Sequence, residues 1–78
     1  MTEIILRNLI ISKHGTEIKR EGELLKIVIK TEGSVEDTLL LSPHNLEQII
    51  ITCEASITSG AIRLLMDEGV DVVFVQHY

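Results

Sequence analysis

Residues 46–76 carry the pattern that most narrows what this chain can fold into: an apolar run LEQIIIT, a polar step CEAS, an amphipathic run ITSGAIRLLMDEG and a second apolar run VDVVFVQ. Short runs rich in Ile and Val favour strands over helix segments of equal hydrophobicity. The spacing therefore predicts strand, helix, strand. The connection is long enough to carry a helix back across a sheet, so the two strands are expected to be parallel, joined by a right-handed crossover. Thr58 is placed to cap the helix, and Ile57 and Ile62 sit where a hydrophobic staple would close. Ala61, Ile62, Leu65 and Met66 are expected on the buried face, with Arg63 and Asp67 opposite. Gly69 can take the left-handed conformation that ends a helix. A helix of about ten residues needs the sheet beneath it to persist in water.

Upstream, Ile4 to Ser12 (IILRNLIIS) reads as one strand, broken if anywhere at Asn8. Lys13-His14-Gly15 reads as a turn, TEIKR as a short strand with Ile18 inward, and Glu21-Gly22 as a second turn. ELLKIVIK alternates, placing Leu25, Ile27 and Ile29 on one face and Lys26, Val28 and Lys30 on the other. TEGSVEDT, residues 31–38, is the most polar stretch and is expected to be a mobile loop. LLL (39–41) follows as a short strand, and Ser42-Pro43 can open a single helical turn. The fold class is α+β: a small, mostly antiparallel β domain of hairpins and two small sheets, with one crossover helix in a C-terminal β-α-β unit. Residues 1–78 are expected to form one N-terminal domain of a longer chain, because the last strand runs to Tyr78 without a closing element.

A chain of 78 residues buries only about 60% of the surface its unfolded form exposes, but its 45% hydrophobic content is ample core material. Phe74 and Tyr78 are its only aromatics, so bases have little to stack on. Twelve acidic against seven basic residues give a net charge of −5, which argues against a free-standing nucleic-acid binder. The bases are unevenly placed, however. Lys13, Lys19, Arg20, Lys26 and Lys30 fall between positions 13 and 30, interleaved with Glu17, Glu21 and Glu23. The favoured reading is a solvated hairpin face; the other is a local basic patch.

Cys53 is the sole cysteine, so no internal disulfide can form; its place after an apolar strand suits a small buried thiol. No secretory signal or membrane-length run is present, and a cytoplasmic location is expected. His14, His44 and His77 lie on three separate connections without the close spacing of metal ligands. Glu54 and Ser56 fall where the first parallel strand ends, and Thr58, Ser59 and Gly60 open the helix, where backbone amides could hold a phosphate. Capping alone accounts for these residues, and a stand-alone small module binding an anion or nucleotide there is the alternative reading. Asp67, Glu68 and Asp71 read as solubilising charge. No carboxylate pair, serine or cysteine has an evident catalytic partner.

Four segments, LIISKHGTEIKREGELLKI, LSPHNLEQIIIT, ASITSGAIRLLMDEG and VDVVFVQHY, resemble in content and order the N-terminal β-rich domain of the CRISPR-associated integrase and endonuclease, the Cas1 family. The resemblance implies a metal-dependent DNA endonuclease and integrase of spacer acquisition that works as a homodimer with the partner Cas2. It places the metal-binding Glu, His and Asp in a larger helical domain that follows. No catalytic or metal-binding residue is therefore assigned here, and neither His44 nor Glu54 inherits such a role. The divalent metal, Mg or Mn, is implied for the intact family protein only. The expected role is dimerisation and scaffolding, with Lys13, Lys19, Arg20 and Lys26 as candidate DNA contacts.

Overall fold

The computed structural model describes residues 2–75. Eight strands and one α-helix follow in the order β1 (Thr2–Ile5), β2 (Asn8–Ile11), β3 (Thr16–Glu21), β4 (Leu24–Thr31), β5 (Ser34–Leu41), a 3₁₀ turn (Pro43–Asn45), β6 (Gln48–Ile51), β7 (Ala55–Ile57), α1 (Ser59–Asp67) and β8 (Asp71–Phe74). They build two four-stranded sheets, ordered β1-β2-β6-β8 and β5-β4-β3-β7. The expected α+β architecture of hairpins, two sheets and one crossover helix is what the chain adopts. β6 and β8 pair in parallel, as the strand-helix-strand pattern requires.

The chain passes from the first sheet to the second twice, side by side. β2 leads into β3 and β6 into β7, with β2 parallel to β6 and β3 parallel to β7. The two crossings are tied together. Thr52 N–H donates to Ile11 O at 2.9 Å and Gly15 N–H to Glu54 O at 2.9 Å, while Glu54 N–H donates to His14 Nδ1 at 3.1 Å. These bonds satisfy main-chain groups that neither sheet reaches. The two sheets are thereby held as one body.

Alternation decides what fills the space between the sheets. Leu9, Ile11, Ile49 and Ile51 come from the first sheet, Ile18, Leu25 and Ile27 from the second, and Ala61, Leu64 and Leu65 from α1. Leu46 and Val70 close the cluster. Burying each large aliphatic side chain contributes about 1.5–3 kcal/mol.

α1 begins as expected. Thr58 is extended and its side chain accepts from Ala61 N–H at 3.2 Å. The helix ends in a Schellman motif: Val70 N–H reaches Leu65 O at 2.8 Å, Gly69 N–H reaches Met66 O at 3.1 Å, and Gly69 has φ +71. The buried face is rotated from the one expected. Ala61, Leu64 and Leu65 are buried, whereas Ile62 is 40% and Met66 74% exposed. A nine-residue helix buries a narrow stripe, here the one that packs into the cluster beside β3.

Three further expectations are corrected. Ile4 to Ser12 is not one strand but an antiparallel hairpin, β1-β2, with Ile5 opposite Asn8. Its two-residue loop is Leu6-Arg7, both with positive φ (50° and 68°), a primed turn that normally selects Asn-Gly. Residues 31–38 are not a mobile loop: Glu32-Gly33, also at positive φ, form a tight turn into β5, whose Thr31↔Ser34 to Leu25↔Leu41 register covers the whole stretch. Finally, the polar step CEAS hides a strand, since Ala55 to Ile57 pair with Thr16 to Ile18.

The Leu6-Arg7 loop yields a test. L-residues in the left-handed region cost about 1–2 kcal/mol each relative to glycine's freedom there, so Leu6→Asn with Arg7→Gly is expected to stabilise the domain by about 1 kcal/mol. Urea unfolding should show a higher midpoint with an unchanged slope.

Candidate interaction surfaces

Residues of β3 and β4 alternate between the core and the outside, and this splits the basic cluster. Lys19 stands opposite Lys26 in the β3-β4 register, and both lie on the outer face with Glu17 and Lys30. Arg20 has the parity of Ile18 and lies on the inner side. Its stem passes close to Gly60 of α1, where an added Cβ would meet Arg20 Cβ at 3.6 Å. Its guanidinium donates to Gly22 O at 2.8 Å and to Glu23 Oε1 at 3.3 Å. Lys13 belongs to the first crossing between the sheets.

The candidate DNA contacts are thus brought together only in part: Lys19 and Lys26 form a pair, with Lys30 on the same face. Each also has a carboxylate within reach. Lys13 pairs with Glu36 at 3.9 Å, Lys19 with Glu17 at 3.0 Å, Lys26 with Glu21 at 3.8 Å, and Lys30 with Glu17. Such exposed pairs contribute about 0–1 kcal/mol and can be exchanged for other anions. Among the described residues, Arg7 and Arg63 are the basic side chains without an ion pair.

Glu17 is the hub of this face. The Lys30 hydrogen bond, then that of Lys19, hold its carboxyl below the ordinary value of 4.5. A carboxyl whose folded pKa is depressed adds stability above its unfolded pKa and loses it as pH falls through the folded value. Stability of the wild type should therefore fall more steeply below about pH 4.5 than that of Glu17→Gln, as thermal melts across acid pH would show.

At the carboxyl ends of β6 and β8, an open groove is lined by His14, Thr52, Cys53, Glu54, Phe74 and Val75. Cys53 S–H donates to Ile11 O at 3.6 Å, and burial raises its thiol pKa, the behaviour of a structural rather than reactive thiol. His44, on the 3₁₀ turn capped by Ser42, is exposed and places Nδ1 3.0 Å from Glu68 Oε2. His77 lies outside the described residues.

At the helix start, the Thr58 hydroxyl is committed to Ala61 N–H and Ser56 lies on β7 opposite Glu17. Sequence reasoning did not place Arg20 beside this end of α1; the inward parity it shares with Ile18 was the available signal. Among the described residues no three His, Cys, Asp or Glu side chains converge as metal ligands. The divalent metal implied for the family therefore finds no donor set among the described residues. Among the described residues no helix is long and apolar enough to cross a membrane.

The remaining exposed feature is apolar. Val35, Leu39 and Leu40 of β5 and Val73, Phe74 and Val75 in and just after β8 are all exposed, on the outermost strands of the two sheets. This defines the class: a two-sheet α+β domain with open strand edges and a mixed-charge outer face. Solved structures share this fold. A casposase bound to integration product superposes with a TM-score of 0.68 at 25% identity, covering 88% of this chain and 21% of that one. A Cas1–DNA complex superposes with a TM-score of 0.70 at 22% identity, covering 87% and 24%.

The model of the family described as CRISPR associated protein Cas1 matches residues 9–78, and the chain belongs to that family. A CRISPR-associated endonuclease Cas1 from Saccharolobus solfataricus is 31% identical over 72 residues, which are 92% of this chain. The chain spans 22% of that relative's length.

Proposed function

We propose that this chain is the N-terminal dimerisation and scaffold domain of a CRISPR-associated, metal-dependent DNA endonuclease and integrase that acts in spacer acquisition in the cytoplasm. Family membership over residues 9–78 is the observation that carries the reading. The open apolar strand edges support the self-association part of it, because such edges favour pairing with another chain. DNA and Cas2 are the proposed partners of the intact protein. Proteins of similar fold have been solved as a casposase bound to integration product, a Cas1–DNA complex and a Cas6-RT-Cas1–Cas2 complex. The catalytic and metal-binding residues belong, in this reading, to the helical domain that follows in the family.

Sedimentation of the chain with and without duplex DNA and Mn²⁺, together with a nuclease assay, tests this. A dimer that does not cut DNA is expected. A monomer at high concentration would overturn self-association, and DNA cleavage would overturn the scaffold role.

Lys13, Lys19, Arg20 and Lys26 are proposed to help guide DNA in the intact protein. Phosphate contacts reveal themselves in the salt dependence of binding, each reducing the slope by about 1 when removed. Charge reversal of Lys19 and Lys26 together should lower both affinity and slope, and unchanged values would remove them from the DNA path.

A further inference from the structure

Leu6 and Arg7 form the tip of the β1-β2 hairpin with φ of 50° and 68°, in a two-residue loop where Asn-Gly would relieve the strain. Strain kept at a turn that a cheaper pair of residues would close points to a task for the side chains themselves. Both side chains are presented outward. Leu6 is 86% exposed, the highest value among the large hydrophobic side chains described, and Arg7 beside it is exposed too. Arg7 has no ion pair among the described residues, whereas Lys13, Lys19, Lys26 and Lys30 each have one. The tip is also held firmly. Ile5 pairs with Asn8 directly beneath it, and Arg7 O accepts from Glu47 N–H at 2.9 Å, which ties the loop to the start of β6.

We propose that the Leu6-Arg7 tip is a wedge for duplex DNA, in which Leu6 enters between adjacent base pairs from the minor groove and Arg7 holds a neighbouring phosphate. The inference rests on the reading above that the intact protein acts on DNA, and it adds a site that Lys13, Lys19, Arg20 and Lys26 do not include. Size selects the occupant. Two side chains cover far less than the roughly 800 Å² that a standard protein partner needs on each side. Ile4, exposed on β1, does not enlarge the patch, because it pairs with the buried Leu9 and shares the inner side of the sheet. One aliphatic side chain is enough to unstack a base step. Charge agrees with size. A guanidinium without a carboxylate of its own meets a phosphate without first breaking a pair, and a single such contact asks little of a chain with a net charge of −5.

A wedge of this kind reads deformability and not base edges. Pyrimidine–purine steps such as TA unstack most easily, and A-tracts are stiff. Leu6 should therefore favour the former.

The test uses duplexes with 2-aminopurine placed beside a central TA step or within an A-tract, since the probe brightens when unstacked. With the 78-residue chain at low salt, fluorescence should rise at the TA step and not in the A-tract. Leu6→Asn should abolish the rise and leave the salt slope of binding unchanged. Arg7→Gly should reduce that slope by about 1. The double variant should lose both signals while its urea midpoint rises, so a damaged fold does not account for the loss. If charge reversal of Lys19 and Lys26 weakens binding but fluorescence and slope are indifferent to positions 6 and 7, the wedge is overturned and the DNA reading stands. If the wild type binds neither duplex at low salt, both fall.

Discussion

Replacing Ile18 by alanine should lower stability by about 2–5 kcal/mol, the range for removing most of a buried aliphatic side chain. Ile18 is 0% exposed and lies midway across the second sheet, with Ile27 of β4 on one side and Ile57 of β7 on the other. Its side chain joins the cluster that α1 and both sheets share. No single neighbour can move in to fill the space without leaving another gap. For a 78-residue chain, total stability is on the order of 4–12 kcal/mol at roughly 0.05–0.15 kcal/mol per residue. One truncation therefore removes a large share of it. Urea unfolding followed by far-UV circular dichroism would report the loss. Val35→Ala, at a position 60% exposed on β5, is the control and should change stability by less than about 0.5 kcal/mol. A loss at Ile18 no larger than the control's would mean the core is not shared between the sheets.

What could be read from the sequence divides along physical lines. Elements whose signal is local were legible: the cap at Thr58, the stop at Gly69, the 3₁₀ turn opened by Ser42-Pro43 and, because a helix between two Ile/Val runs dictates their parallel pairing, the β6-β8 pair. Elements set by tertiary pairing were not. Leu6-Arg7 carries no turn chemistry, and its positive φ values are imposed by β1 folding back on β2. Residues 31–38 are polar because β5 is an exposed edge, and high polarity at an edge looks like a loop when read along one strand. β7 is three residues long and exists because β3 offers it an edge. The helix face was misjudged at Ile62 and Met66 because periodicity gives the width of an apolar stripe but not which part of it meets a sheet. For the candidate site, the cluster of bases was visible, but not its division. Lys19 and Lys26 face outward together while Arg20 turns toward α1, and only the strand parity set by the β3-β4 register separates them.

The crossing between the sheets gives the second large effect. Gly15 sits at φ +86, and its N–H holds Glu54 O at 2.9 Å. Next to it Thr16, 0% exposed, donates its hydroxyl hydrogen to Lys13 O at 2.6 Å. A Cβ at position 15 would meet only Lys30 O, at 3.8 Å, an ordinary contact, so room is not what the glycine provides. The cost of a side chain there comes from the backbone, about 1–2 kcal/mol for an L-residue held in the left-handed region. Gly15→Ala should lose that amount, and Gly15→Asn less, because asparagine tolerates this conformation better. Equal losses for the two would mean that the turn is constrained by space after all. A shift of the chain to relieve the strain would stretch the Gly15–Glu54 bond and with it the Glu54–His14 bond. The two crossings would then separate from each other before either sheet unfolds. Hydrogen exchange in Gly15→Ala should accordingly speed up at Gly15 and Glu54 ahead of Ile18 and Ile49, whose amides lie in the paired strands and open only with the whole fold.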